Sequence, residues 1–289
     1  MDFKVGDFKA AMFDFDGTLT EKGHNTPSRE IADALVKLSQ KMPIGFCTGR
    51  QLESFERRAL AHLLAEVNEA EKPRFMENLY LFAENGAIGY DFNAVAGDFE
   101  EIYRIEWPKE FIEREKLRTI LNEAVKEHGE ILYNAHEIVV VMGTKFYYED
   151  KPAIDKVYEL AGKIYEITLE VLAKINPDYG KYVHVGNSGI GVIVSPANGD
   201  KDAAVEKFGQ FLTKNRGMEF DSRYSEILTV GDSAQVGGND FYFLSGRFGT
   251  PYSVGEILPN NPLIQSVKNE NGERILHAGG TLKLISGLL

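Results

Sequence analysis

The chain has 289 residues, 43% of them hydrophobic and 26% charged, a soluble globular composition long enough for two domains or one large α/β unit. Its net charge of −12 repels polyanions, which argues against nucleic acid as a partner, and no stretch approaches the ~20 apolar residues of a membrane helix. Cys47 is the only cysteine, so disulfide frameworks and multi-cysteine metal sites drop out and any metal should be held by oxygen; the opening residues lack a signal-peptide pattern, and a cytoplasmic protein is the expectation.

Residues 8–13 read as a short buried strand running into the acidic turn Asp14-Phe15-Asp16-Gly17-Thr18. Thr26 can cap the helix that follows, with Pro27 at its first position and Ile31, Ala34, Leu35 and Leu38 on one face. Residues 44–47 form the next predicted strand, ending at Thr48-Gly49-Arg50; residues 51–72 have helical periodicity and 79–83 are a third strand. This alternation predicts a parallel sheet, whose ligands bind beyond the carboxyl ends of its strands, where Asp14 and Thr48 fall.

From residue 88 the rhythm changes. A strand around Ile102, a helix over 108–128, strands near Ile131 and over 138–148, a helix over 152–174 and strands over 181–185 and 190–194 follow in turn. Strand pairs separated by helices predict an antiparallel α+β module over 88–192, inserted into a discontinuous first domain of residues 1–87 and 193–289. The parallel pattern resumes with a helix over 200–214 and an apolar strand over 227–230 that ends at Gly231-Asp232.

Asp14 and Asp16 alone make an ordinary acidic turn. Asp232 at the end of another apolar strand, with Asn239 and Asp240 soon after, changes their meaning. Carboxylates converging on one edge of a parallel sheet repel one another without a cation, and an all-oxygen donor set selects Mg²⁺. A metal beside a carboxylate fits phosphoryl transfer, in which one Asp attacks phosphorus to give an aspartyl phosphate and a second acts as general acid and base. Thr48 and Gly49, through hydroxyl and N–H groups, and Lys201, at the start of a core helix, are candidate donors to the phosphoryl oxygens, with Arg50 in support.

The segments DFDGTLT, CTGR, the lysine of NGDKDAAV and the GD…ND pair resemble, in order, the four motifs of the haloacid dehalogenase superfamily of phosphohydrolases and phosphomutases. The resemblance spans residues 8–240 and implies an α/β fold, a Rossmann-like parallel-sheet core with an inserted α+β cap domain. It implies Asp14 as nucleophile and Asp16 as acid/base, with Mg²⁺ held by Asp14, the Asp16 backbone carbonyl and Asp232. It further implies phosphoryl binding by Thr48 and Lys201, and Asp240 as a supporting acid near the metal, next to Asn239. The segment ENGA at 84–87 and the long insert resemble the branch that includes the Cof-type sugar phosphatases, sucrose-phosphate phosphatase, mannosyl-3-phosphoglycerate phosphatase and the eukaryotic-type phosphomannomutases. The fourth motif, GDSAQVGGND, is four residues longer before Asn239 than the commoner GDSxND and resembles the phosphomannomutase form.

A mutase must also grip a second phosphate, usually with arginine for bidentate contact. No arginine occurs between Arg118 and Arg216, and lysines of the insert such as Lys145, Lys151 and Lys163 read as solvated surface charge. The expectation is a Mg²⁺-dependent phosphatase of a small phosphorylated substrate, foremost a sugar phosphate; a phosphomannomutase-like sugar phosphomutase is the alternative. A non-catalytic binding module is disfavoured by the joint presence of Asp14, Asp16, Thr48, Lys201 and Asp232. The six histidines lack paired spacing and read as surface or core residues, and Cys47 as an inert buried thiol. Tyr133, Phe146, Tyr147, Tyr148 and Tyr182 read as packing residues, one of which could stack on a sugar.

Overall fold

In the computed structural model, which describes residues 8–131, 135–143 and 154–289, the tetrapeptide Ala-Ala-Met-Phe forms β1 (Ala10–Phe13), apolar and buried at every position. Such a run suits a strand covered on both faces. It pairs in parallel with β2 (Ile44–Cys47) on one side and β9 (Ile227–Gly231) on the other. β3 (Leu79–Ala83) lies beyond β2, while β10 (Thr250–Ser253) and β11 (Gln265–Ser266) lie beyond β9, all parallel. Alternation along β1 splits the packing: Ala11 and Phe13 join the core under α1 (Arg29–Ser39) and α8 (His277–Leu288), and Ala10 and Met12 the core under α7 (Lys201–Arg216).

After β3 the chain reverses through Asn85 and Gly86, both at positive φ (60° and 95°), and returns beside β3 as β4 (Ile88–Asn93). With β5 (Asp98–Arg104) this antiparallel hairpin completes an eight-stranded sheet in the order β11-β10-β9-β1-β2-β3-β4-β5. The expected boundary at residue 88 therefore does not coincide with the change of sheet, because the tight turn hands the hairpin to β3. Nor does the boundary at 193: residues up to Pro196 belong to the second sheet.

That second sheet is antiparallel, in the order β6 (Val139–Met142), β8 (Gly191–Pro196), β7 (Val183–Asn187). α5 (Arg114–Val125) and α6 (Ile154–Ile175) close it over a core that includes Trp107, Leu117, Leu121, Ile164, Val192 and Val194. β7 would be an exposed edge, but the loop after β9 covers it: the Asn187 N–H donates to the Gly237 carbonyl (2.8 Å) and the Asn239 N–H to the Asn187 carbonyl (3.1 Å). The four extra residues of the fourth motif thus give that loop the reach to pair with the other sheet.

Two local expectations are corrected. The cap of α1 is Ser28, whose hydroxyl accepts the Ile31 N–H, and Thr26 and Pro27 precede the helix. The helix expected over 51–72 runs on without a gap through α2 (Leu52–Phe55), a π turn (Glu56–Leu60) and α3 (Ala61–Glu66), and is broken only before α4 (Lys72–Met76). Asn68 turns the chain by accepting the Ala70 N–H, and Pro73 starts the last helix afresh. Tyr133, Lys145, Phe146, Tyr147, Tyr148 and Lys151 lie outside the described residues. Among the described residues no helix is long and apolar enough to cross a membrane.

Candidate active site

Asp14, Thr48 and Asp232 directly follow β1, β2 and β9, three adjacent parallel strands, and so meet at one sheet edge. Lys201, the first residue of α7, reaches the same point and is wholly buried. Its ammonium donates to Asp14 Oδ1 at 2.6 Å and to Asp240 Oδ1 at 2.7 Å. The second oxygen of Asp240 accepts the backbone N–H groups of Asp232 and Ser233, both at 3.0 Å, so this one carboxylate ties the lysine to the Asp232 loop. Gly17 has φ +80° and lies so close to Asp232 that a Cβ would stand 2.5 Å from its Oδ2; the turn after β1 fits there because it carries no side chain.

Asp14, Asp232 and Asp240 each present a carboxylate oxygen, all within 4.8 Å of one another. Burial pushes Asp14 up to about 7, opposed by the Lys201 charge and reinforced by that of Asp240. Burial, with the charges of Asp240 and Asp14, pushes Asp232 well above the usual carboxylate range. Burial alone would lower Lys201, yet the charges of Asp14 and Asp240 hold it well above an ordinary lysine. One ammonium therefore faces three converging carboxylates, and this all-oxygen set suits a hard divalent cation such as Mg²⁺.

Asp16 stands apart. Its carboxylate turns to Arg50, which donates through Nε (2.9 Å) and Nη2 (2.7 Å), and the third carboxylate of the cluster is Asp240. Thr48 is buried, and its N–H is committed to the Phe82 carbonyl, which leaves its hydroxyl, not its N–H, to meet a ligand. Gly49 lies under the second sheet: a Cβ there would meet Ile193 Cδ1 at 2.3 Å. Asn239 lies against β7, beside Gly186, with its buried Oδ1 unbonded.

A cleft of about 290 Å³ runs from Asp232 between the two sheets' elements, with Lys22, Glu256 and His277 on one wall and Tyr158, Tyr165 and Asn187 on the other. Lys22 donates to Glu256 (2.9 Å) and lies over the Tyr158 ring, 4.8 Å from its centre. His277 Nδ1 is 2.8 Å from the Gly17 carbonyl, and His184 Nδ1 is 3.0 Å from Asp200, so two of the histidines read as surface or core residues pack beside the site. Asp200 stands in the segment NGDK that already drew notice; Lys22, Tyr158 and Glu256 carry no sequence signal, because only the fold brings them together.

No protein-family model and no curated protein matches the chain. Solved structures do. An N-terminally truncated IMP-nucleotidase of Plasmodium falciparum superposes with a TM-score of 0.59 at 15% identity, over 99% of this chain and 71% of that one. Its IMP-bound form gives 0.56 at 16% identity, over 97% and 67%. A haloacid dehalogenase-like hydrolase from Bacteroides thetaiotaomicron gives 0.56 at 15% identity, over 98% of this chain and 100% of that one. The likeness shows the fold: the chain has the haloacid dehalogenase-like α/β fold, and its second sheet lies in the stretch expected to form the cap.

Proposed function

We propose that this haloacid dehalogenase-fold chain is a Mg²⁺-dependent phosphohydrolase that releases phosphate from a small phosphomonoester, foremost a sugar phosphate. The observation that carries the reading is Asp14, held at the end of β1 by Lys201 inside a cluster of three carboxylates with a single ammonium.

In this reading an Asp14 carboxylate oxygen attacks phosphorus, forming an O–P bond as the ester P–O bond breaks and the leaving oxygen takes a proton from Asp16. Asp16 then accepts a proton from the water that attacks the aspartyl phosphate, and inorganic phosphate departs. Arg50 holds the Asp16 carboxyl through two donors, Nε and Nη2, and so fixes the orientation of the group given the acid and base role. Mg²⁺ held by Asp14 and Asp232, with Asp240 beside them, would neutralise the phosphoryl oxygens. Lys201 and the Thr48 hydroxyl add donors, and Ile193 over Gly49 keeps water from that side.

The cleft supports a polyhydroxylated leaving group. Tyr158 and Tyr165 offer ring faces, while Asn187, Gln235 and Glu256 offer planar hydrogen-bonding groups. A mutase's second anion grip is poorly supported: among the described residues no arginine lines the cleft, and the one lysine there, Lys22, is paired with Glu256. The likeness to the IMP-bound nucleotidase favours a second reading, a nucleoside monophosphate with its base on the same rings.

Phosphate release in the presence of Mg²⁺, measured across hexose, disaccharide and nucleoside monophosphates, tests this. The expected result is the highest kcat/KM on a sugar phosphate and no turnover after chelation; preference for nucleoside monophosphates establishes the second reading. Interconversion of hexose 1- and 6-phosphates primed by a bisphosphate would establish the mutase, and no turnover of any kind would sink the enzyme reading.

A further inference from the structure

Lys201 takes its position from the residue before it. Asp200, 3% exposed, is the N-cap of α7, and its Oδ1 accepts the Lys201 N–H and the Asn85 side-chain amide, both at 2.7 Å. Its Oδ2 lies 3.0 Å from Nδ1 of His184 on the cap strand β7. A carboxylate only accepts, so His184 makes this bond with the proton on Nδ1. The His184 ring lies flat on Tyr242, with centroids 3.7 Å apart and planes at 5°, two residues past Asp240. Asn85 in turn donates its N–H to the Thr48 carbonyl, and Glu84 donates to that of Arg50, both at 2.8 Å. Asp200 thus joins the loop after β2, the start of α7 and the cap. Buried carboxylates need such donors, and losing one leaves an oxygen desolvated and unpaired.

We propose that His184 is a positioning residue for Lys201. By donating to Asp200 it fixes the N-terminus of α7, and with it the ammonium that bonds Asp14 and Asp240, so that seating of cap strand β7 sets the grip on the phosphoryl group. This rests on the phosphatase reading of the site. It differs from a purely structural role in what it requires: the donor at Nδ1 matters, and the ring stacked on Tyr242 does not.

Two variants separate these. His184→Phe keeps the ring and removes the donor; His184→Asn keeps a donor close to the Nδ1 position and removes the ring. In the full chain with Mg²⁺, His184→Phe should weaken inhibition by inorganic phosphate about tenfold and lower kcat/KM by a similar factor, the scale of a lost hydrogen bond to a charged group. The loss should be the same for two substrates with different leaving groups, and His184→Asn should stay within about threefold of wild type, since it retains the donor. Unchanged phosphate inhibition in His184→Phe, or a loss in His184→Asn as large as in His184→Phe, overturns the proposal; so does a fall in thermal midpoint with phosphate affinity intact. Should His184→Phe fail to fold, the His184→Asn result still decides. If the wild type turns over no phosphomonoester, the functional reading fails on its own, and calorimetric binding of inorganic phosphate to the three proteins decides this one. Absence of phosphate binding in the wild type overturns both.

Discussion

Lys201 and Lys22 stand at the two ends of the proposed site in opposite circumstances. The Lys201 side chain is fully covered, and its ammonium spans Asp14 and Asp240, which themselves are 9% and 1% exposed. Lys22 pairs with Glu256 at side-chain exposures of 39% and 55%, above the Tyr158 ring. Removing one partner from a buried pair leaves a desolvated charge, whereas an exposed pair is screened by water and adds little. The buried end is therefore rigid and interdependent, as a fixed reaction step requires. The open end can exchange its partners for those of a ligand, as recognition requires.

The contrast can be broken most severely at the buried end. Asp14→Asn should lower kcat at least about a thousandfold, since a unit-forming nucleophile is lost; steady-state phosphate release measures it, and retained turnover contradicts the role given to Asp14. Lys201→Met should destabilise the fold by about 3–5 kcal/mol, as for a broken buried pair, read from denaturant midpoints. Lys22→Met should cost less than about 1 kcal/mol, and equal losses in the two variants would erase the distinction between the ends.

Titration sharpens it further. Asp14 is raised from 3.8 to about 7, so the stability it contributes in its protonated form is present below 3.8 and is lost as pH rises through about 7. A divalent cation needs the carboxylate form and reverses that loss. Mg²⁺ at 100 times its dissociation constant should stabilise by about 2.7 kcal/mol at pH 8 and by clearly less at pH 5, as thermal unfolding with and without the ion would report. An equal gain at both pH values would contradict a site built on raised carboxylates. The smallest effect belongs to the open end: Tyr158→Ala should raise KM about fivefold with kcat nearly unchanged, the loss of one ring contact.

The buried end was also the more legible one in the sequence. Parallel strands covered on both faces read as unbroken apolar runs, and Asp14, Thr48 and Asp232 fall at their ends by chain order alone. The bond of Asp240 to Lys201 and to two backbone N–H groups was not legible, because it depends on how the loop after β9 closes. The pairing of β4 with β3 escaped for a related reason: the decision lies in the left-handed turn at Asn85 and Gly86, whereas hydrophobic rhythm reports only that strands exist. The open end left no trace at all. Lys22, Tyr158 and Glu256 come from three distant segments, and nothing in the spacing of a lysine, a tyrosine and a glutamate foretells their meeting.

The central claim is that Asp14 carries the phosphoryl group, and trapping the acyl phosphate tests it most directly. Acid quenching during turnover, reduction with labelled borohydride and peptide mapping should find the label at residue 14 and nowhere else. Label at Asp16 or Asp232, or no label from a protein that is demonstrably releasing phosphate, would contradict the account.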